Sequence, residues 1–309
     1  MQIGFIGLGK MGARMAGKLL REDYKVCVWN RSKDAVEEFK IQNSKFKIES
    51  QKLKIAASIE DLVRSLDKPR IVWVMVPNVA VEEILTEVRK FVGEGDIVID
   101  GGNSNYRDTE RRFKEFEKGG VRFLGIGVSG GIISGDKGFP MMVGGSRSGY
   151  EYIKPILDSL AKPGGGHEYF GTGGAGHFIK MVHNGIEYGL MQSLAEGFEV
   201  LEKSKYKLDL LKIAKLFQKG TIVSGFLLDR LKDALERGDY KEIVGEIEAS
   251  GEGEWTVETA KEENVDVEII ERSLEYRRRS KTDEKVKSST TAKLISALRR
   301  EFGGHQVKK

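Results

Sequence analysis

Residues 2–12 read Gln-Ile-Gly-Phe-Ile-Gly-Leu-Gly-Lys-Met-Gly, a short apolar run that leads into three spaced glycines. The run predicts a buried strand, and the pattern after it predicts a helix to about Leu20. Glycines at this spacing permit a tight turn, close approach of the backbone to a pyrophosphate and close packing of helix on strand. The helix N-terminus then faces the phosphate charge. We therefore predict a dinucleotide site that includes Gly7, Leu8, Gly9, Lys10, Met11 and Gly12. A glycine-rich turn without a ligand is the alternative.

The end of the second predicted strand, residues 26–29, bears on the identity of the cofactor. It is followed by Asn30-Arg31-Ser32, where a site for NAD usually places an acid on the ribose 2′-hydroxyl. No acid stands there, and the Arg31 guanidinium matches the oxygens of the 2′-phosphate of NADP. We expect Asn30, Arg31 and Ser32 to contact the cofactor, and we favour NADP over NAD.

Apolar runs alternate with helical patterns through the first half of the chain. Strands are predicted at residues 3–6, 26–29, 71–76, 97–99 and 123–128. Continuous Val and Ile runs are typical of strands buried on both faces of a parallel sheet. After residue 166 one more strand, 168–170, is predicted, and the remaining patterns are helical, at 209–219, 222–237, 250–264, 266–279 and 288–300.

The predicted fold class is therefore α/β. An N-terminal doubly wound Rossmann-type domain, residues 1–166, is followed by an all-α C-terminal domain, residues 167–309, for substrate binding and oligomerisation.

Composition limits the classes of function. The 309 residues include 51 Lys and Arg against 47 Asp and Glu, which leaves a net charge of +4. This balance argues against a nucleic-acid partner, and the run Arg277–Arg279 is interpreted as a solvated or anion-binding helix face. Cys27 is the only cysteine, which excludes an intrachain disulfide, and its apolar neighbours predict a buried strand position. Without a leader or a long apolar run, we expect a cytoplasmic protein with no membrane partner.

A stripe of polar side chains on one predicted helix is the strongest functional signal. Residues 176–188 read Gly-His-Phe-Ile-Lys-Met-Val-His-Asn-Gly-Ile-Glu-Tyr, and positions 180, 183, 184, 187 and 188 share one helix face. Apolar residues fill the rest of the circumference, which indicates that the stripe faces an enclosed cavity. A candidate base, Lys180, and a candidate acid, Glu187, lie roughly 10 Å apart along the axis at 1.5 Å per residue. The stripe predicts an active site; a solvated helix face is the alternative.

Three motifs and the C-terminal tail carry a family resemblance. The motifs are Asp-Gly-Gly-Asn-Ser at 100–104, Gly-Val-Ser-Gly-Gly at 127–131 and Lys-Met-Val-His-Asn-Gly-Ile-Glu-Tyr at 180–188. Together with residues 299–305 they resemble the decarboxylating 6-phosphogluconate dehydrogenases, in the short form of that family. The resemblance implies that Lys180 takes the proton of the substrate 3-hydroxyl as hydride leaves C3. Carbon dioxide is then lost, Glu187 protonates C1 of the enediol, and no metal takes part.

The resemblance also implies a set of ligands. On the sugar acid it places Asn103, Ser129, Gly130, Gly131, His183 and Asn184, and on the phosphate Tyr188. It adds Val76 and Asn103 to the cofactor site, and it implies that Arg299 and His305 enter the site of a neighbouring subunit in a homo-oligomer. Ser224, Ser250 and Glu252 depart from the phosphate ligands of the long form, and Tyr188, Arg299 or one of Arg277–Arg279 would compensate.

Three other functions stay open on the sequence. A dehydrogenase of the 3-hydroxyisobutyrate type shares the glycine turn, the Ser-Gly-Gly and the helix Lys, but lacks the Asp-Gly-Gly-Asn-Ser motif and the Glu-Tyr pair. The missing phosphate ligands raise the alternative of an unphosphorylated aldonate such as gluconate as substrate. A non-catalytic NADP-binding sensor is the third alternative, and the presence of both Lys180 and Glu187 argues against it.

Overall fold

A computed structural model of the chain describes residues 1–44, 46, 51–249 and 251–309. By spatial contact the chain forms two compact units, Met1–Lys180 and Met181–Lys309. The predicted domain boundary at residues 166/167 stays a prediction.

One eight-stranded sheet organises the first unit. Its strands are β1 (Gln2–Ile6), β2 (Lys25–Trp29), β3 (Leu53–Ile55), β4 (Ile71–Val74), β5 (Ile97–Asp100), β6 (Arg122–Val128), β7 (Met141–Gly145) and β8 (His167–Gly171). The order across the sheet is β3-β2-β1-β4-β5-β6-β7-β8, and every pair is parallel except β6 with β7. All six predicted strands are confirmed in position. The prediction missed β3, which is three residues long, and β7, whose two glycines are unusual in a strand.

Helices cover both faces of the sheet. In this unit they are α1 (Lys10–Arg21), α2 (Lys33–Ser44), α3 (Ile59–Arg64), α4 (Asn78–Arg89), α5 (Tyr106–Glu117), α6 (Ser134–Lys137) and α7 (Arg147–Ala161). Apolar side chains of α1 and α7 pack on one face, and those of α3, α4 and α5 pack on the other. All four residues of β4 are buried, as expected of a central parallel strand. The doubly wound arrangement is therefore confirmed, and Cys27 lies buried in β2 as predicted.

The second unit is helical throughout its described residues. A long helix, α8 (Ala175–Lys203), begins in the first unit, and it is followed by α9 (Leu210–Phe217), α10 (Phe226–Arg237), α11 (Glu252–Glu262), α12 (Glu268–Thr282), α13 (Glu284–Lys287) and α14 (Thr290–Gly303). Its core joins side chains of α8, α10 and α14, among them Phe198, Leu231 and Leu298. The predicted helix 222–237 was wrong at its start, because residues 222–225 precede α10 and Gly225 has a φ of +156°.

None of the described helices combines the length and the apolar character needed to cross a membrane.

Candidate active site

The glycine turn after β1 has the shape of an anion site. Gly7 has a φ of +103°, and a Cβ there would collide with the Met75 carbonyl group. A Cβ at Gly12 would collide with the Gly7 carbonyl oxygen, so both glycines are required by the packing of the turn. At Gly9 a Cβ would meet nothing within 4 Å. The N-terminus of α1 therefore has open space beside it, as a bound pyrophosphate requires.

Asn30 joins the end of β2 to this turn. The Leu8 backbone N–H donates to Asn30 Oδ1 at 2.9 Å, and Asn30 Nδ2 donates to the Ser32 carbonyl at 3.1 Å. Lys10 is exposed. Val76, which follows β4, is half-buried, and a Cβ on Gly7 would contact its Cγ1. Asn30, Ser32 and Val76, three of the predicted cofactor residues outside the turn, thus lie next to it.

Arg31 has an acidic partner that the sequence did not reveal. Its Nη2 lies 2.7 Å from Oε2 of Glu83, a residue of α4, and both side chains are exposed. An acid of α4 therefore lies at the end of β2, although the sequence after β2 has none. A 2′-phosphate bound by Arg31 would meet the Glu83 charge nearby.

The Asp-Gly-Gly-Asn-Ser motif forms a turn built on a buried carboxylate. Asp100 accepts hydrogen bonds from the Gly102 backbone N–H at 3.1 Å and from Ser104 Oγ at 2.7 Å. It also forms a buried ion pair with Arg112 at 3.2 Å. Asn103 is the exposed member of the turn. Asp100 therefore stabilises the conformation of the turn, and Asn103 is the side chain of the turn that is accessible from outside.

The Ser-Gly-Gly motif follows β6 and has a backbone that requires glycine. Gly130 and Gly131 have φ angles of +88° and +62°, in the left-handed region that other residues rarely adopt. The Ser129 N–H donates to the Pro140 carbonyl at 2.9 Å, which fixes the start of the turn. A Cβ on Gly130 would also collide with the Ser134 hydroxyl. The two glycines are needed for conformation whether or not a ligand is bound.

Glycines also place Lys180 at the sheet. A Cβ on Gly127 of β6 would collide with the Lys180 Cβ, and a Cβ on Gly176 would collide with backbone atoms of β6 and β7. The first turns of α8 therefore pack directly on strand backbone. Lys180 is 6% exposed as a result, although it carries an amine. Such burial is typical of a lysine with a chemical role.

The polar stripe of α8 continues into the second unit. Asn184 and Tyr188 are buried, and the His183 and Glu187 side chains are 38% and 20% exposed. On other faces of the helix the apolar residues Phe178, Ile186 and Leu190 are exposed. Asn184 and Tyr188 of the polar face are therefore more buried than the apolar residues Ile186 and Leu190 of the same helix.

Three residues of this unit form a hydrogen-bond chain. Asn184 Nδ2 donates to Oε1 of Glu252 at 3.2 Å, and Asn184 Oδ1 lies 2.9 Å from His183 Nδ1. The Glu187 carboxylate lies 4.0 Å from the same His183 nitrogen. Glu252 is 2% exposed, and its Oε2 has no hydrogen-bond partner among the described residues. The polar stripe of α8 is thus connected by hydrogen bonds to a buried carboxylate on α11.

Tyr188 lies beside two buried guanidinium groups. Arg277 stands over the Tyr188 ring at 3.4 Å from its centroid, and its Nη1 donates to the Glu248 carbonyl at 3.2 Å. Burial lowers the pKa of Arg277 to about 10, and the charge of Arg299 acts in the same direction. Among the described residues, Arg277 Nη2 and the Tyr188 hydroxyl are buried without hydrogen-bond partners. Since buried polar groups are nearly always paired, these donors point to an anionic ligand.

Arg299 and His305 belong to the same unit. Arg299, on α14, is buried, and burial lowers its pKa against the opposing effects of Tyr188 and Glu187. His305 is exposed, with its ring 6.3 Å from that of Phe302. Their predicted place in a neighbouring subunit stays a prediction.

Sequence reasoning did not anticipate the contacts of Glu83 with Arg31 and of Glu252 with Asn184. It named Arg277 only as one of three candidate phosphate ligands, and the structure separates them, because Arg278 and Arg279 are exposed and Arg277 is buried. Its signal was the helical spacing of the buried positions 273, 274, 277 and 280, which puts an arginine on the inner face of α12. Ser224 is exposed before α10, and Ser250 lies outside the described residues.

The residues that the structure describes contain no group of three His, Cys, Asp or Glu side chains arranged to hold a metal ion.

Comparison with known proteins identifies the family of both parts of the chain. Residues 2–174 match the NAD binding domain of 6-phosphogluconate dehydrogenase, and residues 176–309 match the 6-phosphogluconate dehydrogenase C-terminal domain. The NAD(+)-dependent, decarboxylating 6-phosphogluconate dehydrogenase of Haloferax volcanii is 34% identical over 310 residues, which cover 99% of this chain and 98% of that protein.

Two solved structures show the relationship in three dimensions. The Plasmodium falciparum 6-phosphogluconate dehydrogenase, solved with NADP+ and with 6-phosphogluconate, matches with a TM-score of 0.83 and 31% identity over 92% of this chain and 63% of its own. The 3-hydroxyisobutyrate dehydrogenase of Salmonella typhimurium covers 96% of this chain and 99% of its own with a TM-score of 0.75, but at 18% identity it shows a shared fold alone. The chain therefore belongs to the 6-phosphogluconate dehydrogenase family.

Proposed function

We propose that this protein oxidises and decarboxylates 6-phospho-D-gluconate to D-ribulose 5-phosphate and carbon dioxide, with reduction of NADP or NAD. The observation that carries the proposal is α8, which bears a buried Lys180 and, two turns further on, Glu187 beside the unpaired donors of Tyr188 and Arg277. A base, an acid and an anion site along one helix match the needs of a phosphorylated β-hydroxy acid.

Lys180 and Glu187 divide the proton transfers of the reaction. Neutral Lys180, buried beside the sheet, takes the proton of the 3-hydroxyl. A nicotinamide held at the glycine turn would supply the hydride acceptor for C3. The resulting 3-keto acid loses its carboxylate as carbon dioxide, since the keto group accepts the electron pair, and Lys180 returns its proton to that oxygen to give the enediol. Glu187 then donates a proton to C1 while Lys180 takes the proton of the neighbouring hydroxyl group, which becomes the ketone of the product.

The remaining stripe and loop residues hold the sugar acid in register. The left-handed backbone at Gly130 and Gly131 lets amide groups approach the substrate carboxylate without an intervening Cβ. The hydroxyl groups are assigned to Asn103, Ser129, His183 and Asn184. The phosphate is assigned to Tyr188, Arg277 and Arg299, where charge-assisted hydrogen bonds would satisfy the buried donors.

The cofactor is assigned to the turn around Gly7, Gly9 and Gly12, with Asn30, Arg31, Ser32, Val76 and Asn103. Open space at Gly9 and the N-terminus of α1 fit a pyrophosphate. NAD(P) is the cofactor class of the family, and its relatives include an NAD(+)-dependent enzyme and a structure with NADP+. A preference of this chain for NADP rests on Arg31.

The proposal extends to assembly and location. Ile186, Leu190 and Val200 of α8 are exposed, as are Ile222 and Val223 before α10. Ile186 and Leu190 are four residues apart and so adjacent on one helix face, and adjacent exposed apolar side chains support a protein interface and a homo-oligomer of at least two subunits. Arg299 and His305 would then contribute to the site of the neighbouring subunit. The cytoplasm is the proposed location, with neither nucleic acid nor membrane as partner.

One assay tests the reaction, the substrate and the cofactor together. The purified protein is incubated with 6-phosphogluconate and, separately, with gluconate, each with NADP and with NAD, while reduced cofactor and released carbon dioxide are measured. Equimolar carbon dioxide and reduced cofactor with 6-phosphogluconate is the expected result. Reduction without carbon dioxide would contradict the decarboxylating step, and activity on gluconate alone would contradict the role of Arg277 and Tyr188.

A further inference from the structure

The hydrogen-bond chain from Glu252 through Asn184 to His183 fixes the direction of every proton in it. An ionised carboxylate accepts hydrogen bonds and donates none. Glu252 Oε1 therefore requires the amide nitrogen of Asn184, which lies 3.2 Å away. The amide oxygen of Asn184 is then the atom that faces His183 Nδ1 at 2.9 Å.

An amide oxygen is an acceptor, so His183 Nδ1 must carry a proton. The Glu187 carboxylate, 4.0 Å from the same nitrogen, favours a proton there as well. A neutral His183 then has a lone pair on Nε2, which can accept a hydrogen bond from a hydroxyl group. Reversal of the Asn184 amide would reverse this assignment.

Two buried guanidinium groups act on Glu252. The carboxylate is 2% exposed, and the positive charges of Arg277 and Arg299 both interact with it. A buried carboxylate of this kind holds a neighbouring amide more firmly than water would, because no solvent competes for the hydrogen bond.

We infer that Glu252 is a positioning residue: through Asn184 it holds His183 in the Nδ1–H tautomer, so that Nε2 accepts a hydrogen bond from a substrate hydroxyl. The inference rests on the proposed function for the assignment of His183 to the substrate. Glu252 itself touches neither substrate nor cofactor. The tautomer, in contrast, is a property of the protein without substrate.

The first test is nitrogen NMR of the full chain labelled with ¹⁵N-histidine. The chain has four histidines, and the His183 signals are identified by their loss in His183→Phe. The expected result is a protonated Nδ1 and an unprotonated Nε2 at His183 near neutral pH. A proton on Nε2 with a bare Nδ1 would overturn the inference, and this measurement requires no change at Glu252.

Variants then test the part played by Glu252. Glu252→Leu removes the acceptor, whereas Glu252→Gln keeps a carbonyl oxygen at the same place. The Leu variant is expected to lose the preference for Nδ1–H and to raise KM for 6-phosphogluconate about 10-fold to 100-fold, with a smaller change in kcat. The Gln variant is expected to restore most of both properties. A folded Leu variant with the wild-type tautomer and KM would overturn the inference.

Glu254→Gln is the matched control, since Glu254 is an exposed acid of the same helix. It should change neither the histidine spectrum nor KM. Because the spectrum is recorded without substrate, a failure of the proposed activity appears only in the turnover assay. The two proposals can therefore fail independently.

Discussion

The guanidinium of Arg277 stands 3.4 Å from the centroid of the Tyr188 ring, and both side chains end in buried donors without partners among the described residues. The arrangement is unfavourable without a ligand, because Arg277 and Arg299 are buried near each other and carry the same charge. A phosphate dianion would satisfy the donors and neutralise the repulsion. We therefore expect a bound phosphate to stabilise the arrangement of Tyr188 and Arg277.

Arg277→Met is expected to raise KM for 6-phosphogluconate about 10-fold to 100-fold, the effect of losing a charge-assisted hydrogen bond to phosphate. Activity on gluconate, which has no phosphate, should change little. Steady-state kinetics with both substrates measure the difference. Arg278→Met is the control, because Arg278 is the exposed neighbour on α12 and pairs with Glu254.

Arg277→Met should weaken substrate binding, but it should not destabilise the ligand-free protein. Burial lowers the pKa of Arg277, so the folded state disfavours its charged form at neutral pH. Replacement by an apolar side chain of similar length should leave the free energy of unfolding unchanged or increase it. Urea denaturation without ligand measures this. A large loss of stability would show that Arg277 serves the fold and not the ligand.

Lys180→Met is expected to lower kcat by about 10²-fold to 10⁴-fold, the usual contribution of a positioned general base. The change keeps the length of the side chain at a buried position and removes the amine. Cofactor binding, followed by the fluorescence of reduced cofactor, should remain at the wild-type level. Near-normal turnover would contradict the assignment of Lys180 as the base.

Gly127→Ala tests how the sheet places that base. Its Cβ would collide with the Lys180 Cβ, so α8 must shift away from β6. We expect a loss of about 1–3 kcal/mol in stability, as for overpacked cores, together with a lower kcat. Gly93→Ala is the control, since a Cβ at Gly93 would meet nothing within 4 Å. Wild-type kinetics in the Gly127 variant would show that α8 does not depend on this contact.

Asp239 forms a pH-dependent contact with Arg300 of α14. Hydrogen bonds from Arg300, at 2.8 and 2.9 Å, lower the pKa of Asp239 to about 2. A carboxyl whose pKa is lowered on folding stabilises the protein above its unfolded pKa, and this stability is lost as the pH falls toward 2. Asp239→Asn should therefore reduce the melting temperature at pH 7, by less at pH 3. An equal reduction at both values would contradict a charge-based contact.

The polar stripe could be predicted because all of its members lie within nine consecutive residues of one helix. Glu252 could not be placed beside Asn184, because 68 residues separate them and the contact depends on how α11 packs on α8. Local periodicity predicts which residues share a helix face, but it does not predict which element of the fold packs against that face. Thr256 illustrates the packing, since its hydroxyl donates to the Met181 carbonyl of α8 at 3.0 Å.

Strand β7 shows a similar limit within the sheet. Gly144 and Gly145 made it a poor strand on propensity, yet a Cβ at Gly144 would collide with the Gly176 backbone at the start of α8. Gly144 is therefore needed for close packing of helix on strand, and a Cβ at Gly145 would instead collide with the Phe123 carbonyl of β6. The buried Val and Ile residues of β1, β2, β4 and β5 are not interrupted by such a pair of glycines, and these strands were predicted. Strand β6 was predicted as well, although it contains Gly125 and Gly127.

We predict that cofactor choice depends on the exposed pair of Arg31 and Glu83, which are 2.7 Å apart although 52 residues separate them in sequence. Arg31→Asp should weaken NADP far more than NAD, since the guanidinium is assigned to the 2′-phosphate. An equal loss for both cofactors would refute that role.

Glu83→Gln should act in the opposite direction. It removes a negative charge that competes with the 2′-phosphate for Arg31, so the ratio of kcat/KM for NADP to that for NAD should rise. An exposed pair is worth at most about 1 kcal/mol, which limits the rise to roughly 5-fold. Glu87→Gln, further along α4 and paired with Lys90, is the matched control and should leave the ratio unchanged. A fall in the ratio for Glu83→Gln would mean that Glu83 orients Arg31 toward the phosphate instead of competing with it.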